Sequence, residues 1–281
     1  MMDFDPKAYL ETAGKMPDSE LDVAPCALAM ALITHPGLSI DRYFHHLKTL
    51  AKDVKARYAA LLDAGAKADA PTQLAALKHV ISDSHGYRGD HERYDDLQNA
   101  DLIRVIDRGK GLPISLAILY IHAGRAQGWD VCGLNMPGHF ICRIEKDGQR
   151  VIFDPFYDAR VLGAADLRFL VKKNLGPHAE LSAGYYQPCA NRETLMRLQN
   201  NIKFRLIEAE DYQGALDIVQ VMKLVGPLDH RLLLDEGVLY AKLEQPKASI
   251  AALERYIERA TDPHDRHDAE LLLRQMRETL H

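Results

Sequence analysis

With 281 residues, the chain is too long for one typical domain and has the length expected of two. Hydrophobic residues make up 47% of it and charged residues 27%, which is ordinary for globular proteins and excludes a chain that is disordered throughout. The formal net charge of −5, from 35 basic and 40 acidic residues, argues against a nucleic-acid partner, because general nucleic-acid binders usually carry a basic surplus.

The cysteines and the apolar stretches indicate a cytoplasmic protein. Cys26, Cys132, Cys142 and Cys189 show no C-x-x-C spacing, so we expect buried free thiols rather than a metal site or a disulfide framework. The N-terminus shows neither the basic nor the apolar region of a signal peptide. The longest apolar stretch, residues 112–121, is far shorter than the ~20 residues of a membrane span, so we expect no membrane contact.

The first 85 residues are predicted to be helical. Apolar residues from Leu47 to Leu61 recur at steps of three and four, which predicts an amphipathic helix that starts near Ser39. A second helix is predicted from Pro71 to about Ile81. Glycines and polar residues then interrupt the pattern.

A short helix and a buried helix are predicted next. Asn99 is the expected N-cap of a helix that continues through Asp107. The run from Leu112 to Ile121 is apolar on nearly every face, so we expect a helix in the middle of a domain that ends near Gly128. Pro113 fits the first turn of this helix, where its missing N–H has no intrahelical partner.

Three strand-like segments follow, at Val131–Met136, His139–Glu145 and Gln149–Phe156. The Asp147-Gly148 dipeptide between the second and third is a strong signal for a hairpin with a two-residue loop. The sequence therefore predicts a small antiparallel sheet after the buried helix.

The hairpin loop also fixes which side chains meet. A two-residue loop makes Ile141 face Asp154, and side chains alternate along each strand, so His139 and Asp154 share one face as diagonal neighbours. Such neighbours lie roughly 7–8 Å apart at their backbones, within reach of longer side chains. Cys142 points to the opposite face, which makes it a poor thiol partner for His139.

Three segments carry a resemblance to a known family: Arg104–Tyr120, then Gly133–Phe140 with Pro-Gly-His-Phe, then Ile152–Phe156 with Asp-Pro-Phe. In this order and spacing they resemble the SirB-type transglutaminase-like family, over about residues 20–170. The resemblance implies an α+β fold, in which a helical N-terminal region joins a transglutaminase-like (cysteine-protease-like) core with a small antiparallel sheet. Members of the family typically add C-terminal tetratricopeptide repeats.

The resemblance also implies where a catalytic site would lie. In the wider superfamily a cysteine nucleophile begins the central helix, and the two following strands supply a histidine and an aspartate. His139 and Asp154 match the latter two positions, whereas the cysteine's position falls on Pro113. The nearest hydroxyl belongs to Ser115, about 200° further around the helix. The candidate catalytic residues are therefore His139, Asp154 and Ser115, without the cysteine.

Three roles remain open for the pair His139–Asp154. It can be a hydrogen-bonded pair that stiffens the hairpin or lines a binding cleft, which is the reading we favour. It can act in catalysis with Ser115 or an activated water in place of the thiol. It can bind a metal ion, although no third ligand stands at a helpful spacing. We predict neither a metal nor a cofactor.

The sequence from Asn191 on is helical in pattern and self-similar. A shift of about 34 residues places Gly237, Tyr240, Ser249 and Leu253 where the tetratricopeptide repeat has its small, aromatic, small and large apolar residues. We expect about two repeats, the first degenerate, and a closing helix from Asp265 to Leu280. A plain helical bundle without a partner is the alternative interpretation.

The predicted division is therefore a transglutaminase-like domain at 1–188 and an all-α tetratricopeptide-like domain at 189–281. The preferred function is a non-catalytic regulatory or scaffold protein that contacts a protein or peptide through residues 191–281. The alternative is a hydrolase or acyltransferase of amide or ester bonds that uses His139–Asp154 with a substituted nucleophile. The sequence does not indicate the oligomeric state.

Overall fold

The computed structural model describes residues 4–279. The chain forms two compact units. The core unit is built mainly from Pro17–Leu198, and the repeat unit combines Asp5–Met16 with the chain from Gln199 onward. The first helix thus belongs to the repeat unit, which the division at residue 188 does not anticipate; that division stays a prediction.

Helices account for most of the described chain. They are α1 (Pro6–Lys15), α2 (Val23–Ile33), α3 (Asp41–Asp63), α4 (Ala70–Lys78), α5 (Leu102–Arg108), α6 (Pro113–Arg125), α7 (Ala164–Leu175), α8 (Asn191–Glu208), α9 (Tyr212–Val225), α10 (Arg231–Lys242), α11 (Pro246–Ile257) and α12 (Pro263–Glu278). The strands are β1 (Arg88–Gly89), β2 (Lys110–Gly111), β3 (Asp130–Gly133), β4 (Cys142–Lys146), β5 (Gln149–Asp154) and β6 (Arg160–Val161). In the part of the chain that the structure describes, no helix is both long and apolar enough to cross a membrane.

The core unit is organised around α6, which is buried on nearly every side as its composition predicts. The amphipathic helix α3 packs against it with the predicted apolar face, so that Leu47, Leu50 and Val54 are buried. α4 also contacts α6 and continues into a π-helical turn at His79–Ser84.

The short helix α5 is capped by a different residue from the one predicted. Asp101 has an extended backbone and its carboxylate accepts a hydrogen bond from the Arg104 N–H at 3.1 Å. The prediction that Asn99 caps this helix is wrong, because Asn99 lies in a preceding 3-10 turn and is completely buried. Gly109, with a φ of 66°, ends the helix in the left-handed conformation.

The sheet has the order β3–β4–β5–β6 and is antiparallel throughout. The predicted hairpin register is confirmed, since Lys146 pairs with Gln149 across a loop in which both residues have positive φ. β3, β4 and β5 are all shorter than predicted. The chain between β3 and β4 turns at Pro137 and Gly138, and proline cannot donate to a ladder, so His139 precedes β4.

The repeat unit consists of helical hairpins with small residues at their contacts. α10 and α11 pack closely at Gly237, where an added Cβ would lie 2.6 Å from the Leu253 side chain. The Ser249 hydroxyl donates to the Gly237 carbonyl at 2.7 Å. α1 packs against α9 in the same unit. The predicted closing helix is present as α12, whereas Leu280 lies outside the described residues.

Candidate functional site

His139 and Asp154 meet on one side of the sheet in the core unit. The Nε2 atom of His139 lies 2.8 Å from Oδ2 of Asp154, and both side chains are largely buried. Asp154 is the last residue of β5, and His139 approaches it from the turn that precedes β4. The spatial pairing expected from the hairpin is therefore present in the structure; a catalytic role for the pair stays a prediction.

The second oxygen of Asp154 has a structural use. Oδ1 accepts the N–H of Phe156 at 2.9 Å and caps the 3-10 turn Pro155–Tyr157. Because one oxygen holds the turn and the other holds the imidazole, the carboxylate cannot rotate without breaking one of them. A neutral His139 that donates from Nε2 carries its lone pair on Nδ1, for which no hydrogen bond is found among residues 4–279.

The turn before His139 is fixed by α7. Gly138 has a φ of +70°, and a Cβ there would lie 2.5 Å from Cγ of Asn174. The Asn174 amide donates to the Pro137 carbonyl at 3.1 Å. Glycine is therefore required at this position both by the backbone conformation and by the close approach of the asparagine. This contact accounts for the Pro-Gly-His element of the sequence.

The start of α6 carries no exposed nucleophile. Pro113 occupies the first turn and is buried. Ser115 has no solvent exposure, and its hydroxyl donates to the backbone carbonyl of Asn99 at 2.6 Å. The structure gives this hydroxyl a partner other than His139, which bonds to Asp154.

A buried polar network that the sequence did not reveal supports the start of α6. The Asn99 amide donates to the Arg93 carbonyl at 2.6 Å and accepts from Arg108 at 3.1 Å. Arg108 also donates to Asp90 at 2.8 Å. Burial alone would raise the pKa of Asp90, but hydrogen bonds from the Arg93 N–H and the Arg108 guanidinium outweigh it and lower the pKa. These contacts anchor the segment between β1 and α5.

A cleft with a volume of about 400 Å³ opens beside His139. Aromatic side chains form much of its lining, with Phe156 at their centre. The ring of His91 lies 4.5 Å from that of Phe156, and the ring of Tyr157 lies 5.3 Å from it. Tyr94 and His139 contact the same ring edge-on. The cleft therefore presents aromatic surface next to the imidazole.

The cysteines do not supply the missing thiol. All four are buried, and burial raises the pKa of Cys132, Cys142 and Cys189, so that their thiolates are disfavoured. Within the described residues, His139 has a carboxylate rather than a sulfur as its hydrogen-bond partner. No cluster of three or more histidine, cysteine, aspartate or glutamate side chains suited to a metal is found in residues 4–279.

These features define the class of protein. A buried helix followed by strands that join a histidine to an aspartate is the arrangement of a transglutaminase-like core, and the helical hairpins are those of a repeat protein. The family model described as the transglutaminase-like superfamily matches residues 41–200, and a tetratricopeptide repeat model matches residues 202–277. The chain belongs to the SirB-type branch of the transglutaminase-like superfamily.

Curated relatives carry matching names. The UPF0162 protein of Xylella fastidiosa (strain 9a5c) is 31% identical over 69% of this chain and 70% of its own length. The UPF0162 protein of Vibrio cholerae is 26% identical over 93% of both chains. The protein SirB1 of Salmonella typhimurium is 24% identical over 57% of this chain and 60% of its own length. The resemblance deduced from the sequence is thereby confirmed.

Proposed function

We propose that the chain is a non-catalytic transglutaminase-like protein that acts as a regulatory or protein-interaction module. The observation that carries the proposal is the start of α6, where Pro113 has no nucleophile and the buried Ser115 hydroxyl bonds to the Asn99 carbonyl. Covalent acyl transfer needs a nucleophile within hydrogen-bond reach of its base. The Ser115 hydroxyl already donates its hydrogen bond to the backbone carbonyl of Asn99.

The repeat unit supports the interaction role. Its repeats are of a kind that suggests protein–protein contacts. Val238 lies one repeat period after Phe204, and these large apolar side chains on α10 and α8 are 39% and 55% exposed. Exposed apolar residues at equivalent positions of successive repeats suit an extended partner segment that follows the stack.

The interaction role is tested with the full chain. We expect a partner captured by the wild-type protein to be lost from a Phe204→Ala/Val238→Ala double variant. Leu228→Ala is the matched control, because Leu228 is 89% exposed and lies in the loop between α9 and α10. Equal capture by all three proteins, or loss of the partner only with the control variant, would contradict the proposed surface.

The alternative is a hydrolase or acyltransferase in which His139 activates water or Ser115. Its support is the intact His139–Asp154 pair beside an open cleft. The purified protein and its His139→Ala variant are compared in a screen of amide and ester substrates. The non-catalytic proposal expects no turnover that depends on His139. A turnover that is lost with His139→Ala and kept with Lys172→Met would overturn it.

A further inference from the structure

The cleft beside His139 has a one-sided charge. Its lining includes His91, His139, Lys173 and the Asn174 amide, and no aspartate or glutamate of residues 4–279 belongs to it. Asp154 lies behind the imidazole and is only 2% exposed. This distribution is unusual for a chain with a net charge of −5, in which acidic residues outnumber basic ones. The lining favours a negatively charged ligand over a neutral or positive one.

Lys173 is the residue in the cleft lining that carries a permanent positive charge. It lies on α7 and is exposed, and no ion pair involves it among the described residues. The adjacent Lys172 differs, because its ammonium lies 3.9 Å from Glu180 and it does not line the cleft. An ammonium that has no carboxylate partner and stands beside aromatic walls is available to bind an anion.

Much of the remaining lining is apolar. Phe156 is buried against the rings of His91 and Tyr157, and Leu170, one turn before Lys173 on α7, also lines the cleft. Flat aromatic surface accepts a planar or apolar group by offset stacking or edge-to-face contact. The volume of about 400 Å³ falls within the range of small-molecule sites.

We propose that this cleft binds an organic carboxylate that carries an apolar or aromatic group close to its acid group. The carboxylate contacts Lys173, and the apolar group lies against His91 and Tyr157. The proposal rests on the non-catalytic function, since it makes the cleft a site of retention rather than of turnover. A free aromatic acid and the C-terminus of a peptide that ends in an aromatic residue offer the same chemistry.

The test uses two probes of nearly equal shape, the negatively charged N-acetyl-phenylalanine and its neutral C-terminal amide, titrated calorimetrically into the full chain. We expect the acid to bind at least tenfold more tightly than the amide, a difference of about 1.4 kcal/mol, because a hydrogen bond between two charged groups is stronger than one to a neutral amide. Equal affinity for the two probes, or binding of neither, would overturn the proposal.

Two neighbouring lysines provide the matched variants. Lys173→Met keeps the aliphatic stem and removes the charge, so we expect it to weaken binding of the acid about tenfold. Lys172→Met removes an equal charge from the next position and should leave the affinity unchanged. The far-ultraviolet circular dichroism of both variants checks that the fold is kept. An unchanged affinity in Lys173→Met, or equal losses in both variants, would contradict the assignment.

The source of the carboxylate is resolved by a second pair of probes, a hexapeptide that ends in phenylalanine with either a free or an amidated C-terminus. Tighter binding of the free-acid peptide than of N-acetyl-phenylalanine assigns a peptide terminus, and the reverse assigns a small acid. Equal affinity of the amidated and the free-acid peptide would contradict both assignments. Mass spectrometry of the recovered probe separates the two proposals, because cleavage of the probe would sink the non-catalytic function and leave the charge preference standing.

Discussion

The start of α6 and the hairpin of β4 and β5 are the two halves of the site in this superfamily, and they differ in what they offer a ligand. At the helix start, Pro113 has no nucleophilic group, and the buried Ser115 hydroxyl donates a hydrogen bond to the Asn99 carbonyl. At the hairpin, His139 lines an open cleft while Asp154 holds it in place.

The two regions differ in whether their polar groups have hydrogen-bond partners inside the protein. Every polar group named at the helix start has a partner inside the fold, whereas the hairpin keeps one imidazole nitrogen without a partner in the described chain. Asp154 also caps the turn at Phe156, so the pair stabilises the fold whether or not chemistry occurs. A histidine and an aspartate in contact are therefore not sufficient grounds to infer an enzyme.

The largest effect is expected from placing a thiol at the helix start. We predict that the Pro113→Cys variant reacts with iodoacetamide at least tenfold faster than the wild type, because a helix N-terminus favours thiolate even though Pro113 is buried. The four native cysteines are buried and provide the background rate. Labelling is read by peptide mass spectrometry, and a rate equal to the background would mean that this position faces away from the cleft.

Removing the shared carboxylate should destabilise the core unit most. Asp154→Ala deprives His139 and the Phe156 N–H of their acceptor at a buried position, so we expect a loss of about 3 kcal/mol. Urea unfolding is followed by the fluorescence of Trp129, the single tryptophan, which lies in the core unit. Asp154→Asn retains an oxygen for the turn and should lose less; equal losses would argue against the cap.

A smaller effect is expected at the sealed hydroxyl. Ser115→Ala removes one buried hydrogen bond, but the Leu112 N–H still satisfies the Asn99 carbonyl at 3.0 Å, so we predict a loss of about 1 kcal/mol. Ser84→Ala, at an exposed serine, is the control in the same unfolding assay. If Ser115→Ala abolished a catalytic turnover, the Ser115 hydroxyl would be catalytic, and the conclusion that the start of α6 has no chemical role would be wrong.

The smallest effect concerns pH and the network below the helix start. Asp90 has a lowered pKa in the folded chain, so its stabilising contribution is fully present above the unfolded pKa of about 3.9 and is lost as pH falls through the lower folded value. The melting temperature of Asp90→Asn should therefore lie below that of the wild type at pH 7, and the gap should narrow toward pH 3. Asp63→Asn, at an exposed position, should show no such trend.

Much of the site followed from local sequence signals. The Asp147-Gly148 loop fixed the hairpin register, and with it the meeting of His139 and Asp154, because a two-residue loop leaves one pairing. The position of Pro113 in the first turn of a buried helix was equally local, since proline and an all-apolar run both have few alternatives.

The other features of the site depend on tertiary contacts that no local sequence pattern predicts. Asn99 has the composition of a helix cap, but Asp101 stands next to the helix and takes that role, which frees Asn99 to bond Arg93 and Arg108. The aromatic lining at His91 and Tyr94 comes from an irregular segment without periodicity. Such segments are placed by tertiary packing alone, so their sequence carries no register to read.

The packing of α1 against α9 has a consequence for how the protein is made. Helix α1 buries Leu10 and Ala13 in a unit whose other segment begins at Gln199, more than 180 residues later. Its apolar face therefore stays without its native neighbours until most of the chain has been synthesised. Deletion of α1 should accordingly weaken the helical stack formed by the later part of the chain, and a fragment that holds only the repeats lacks a helix that packs against α9.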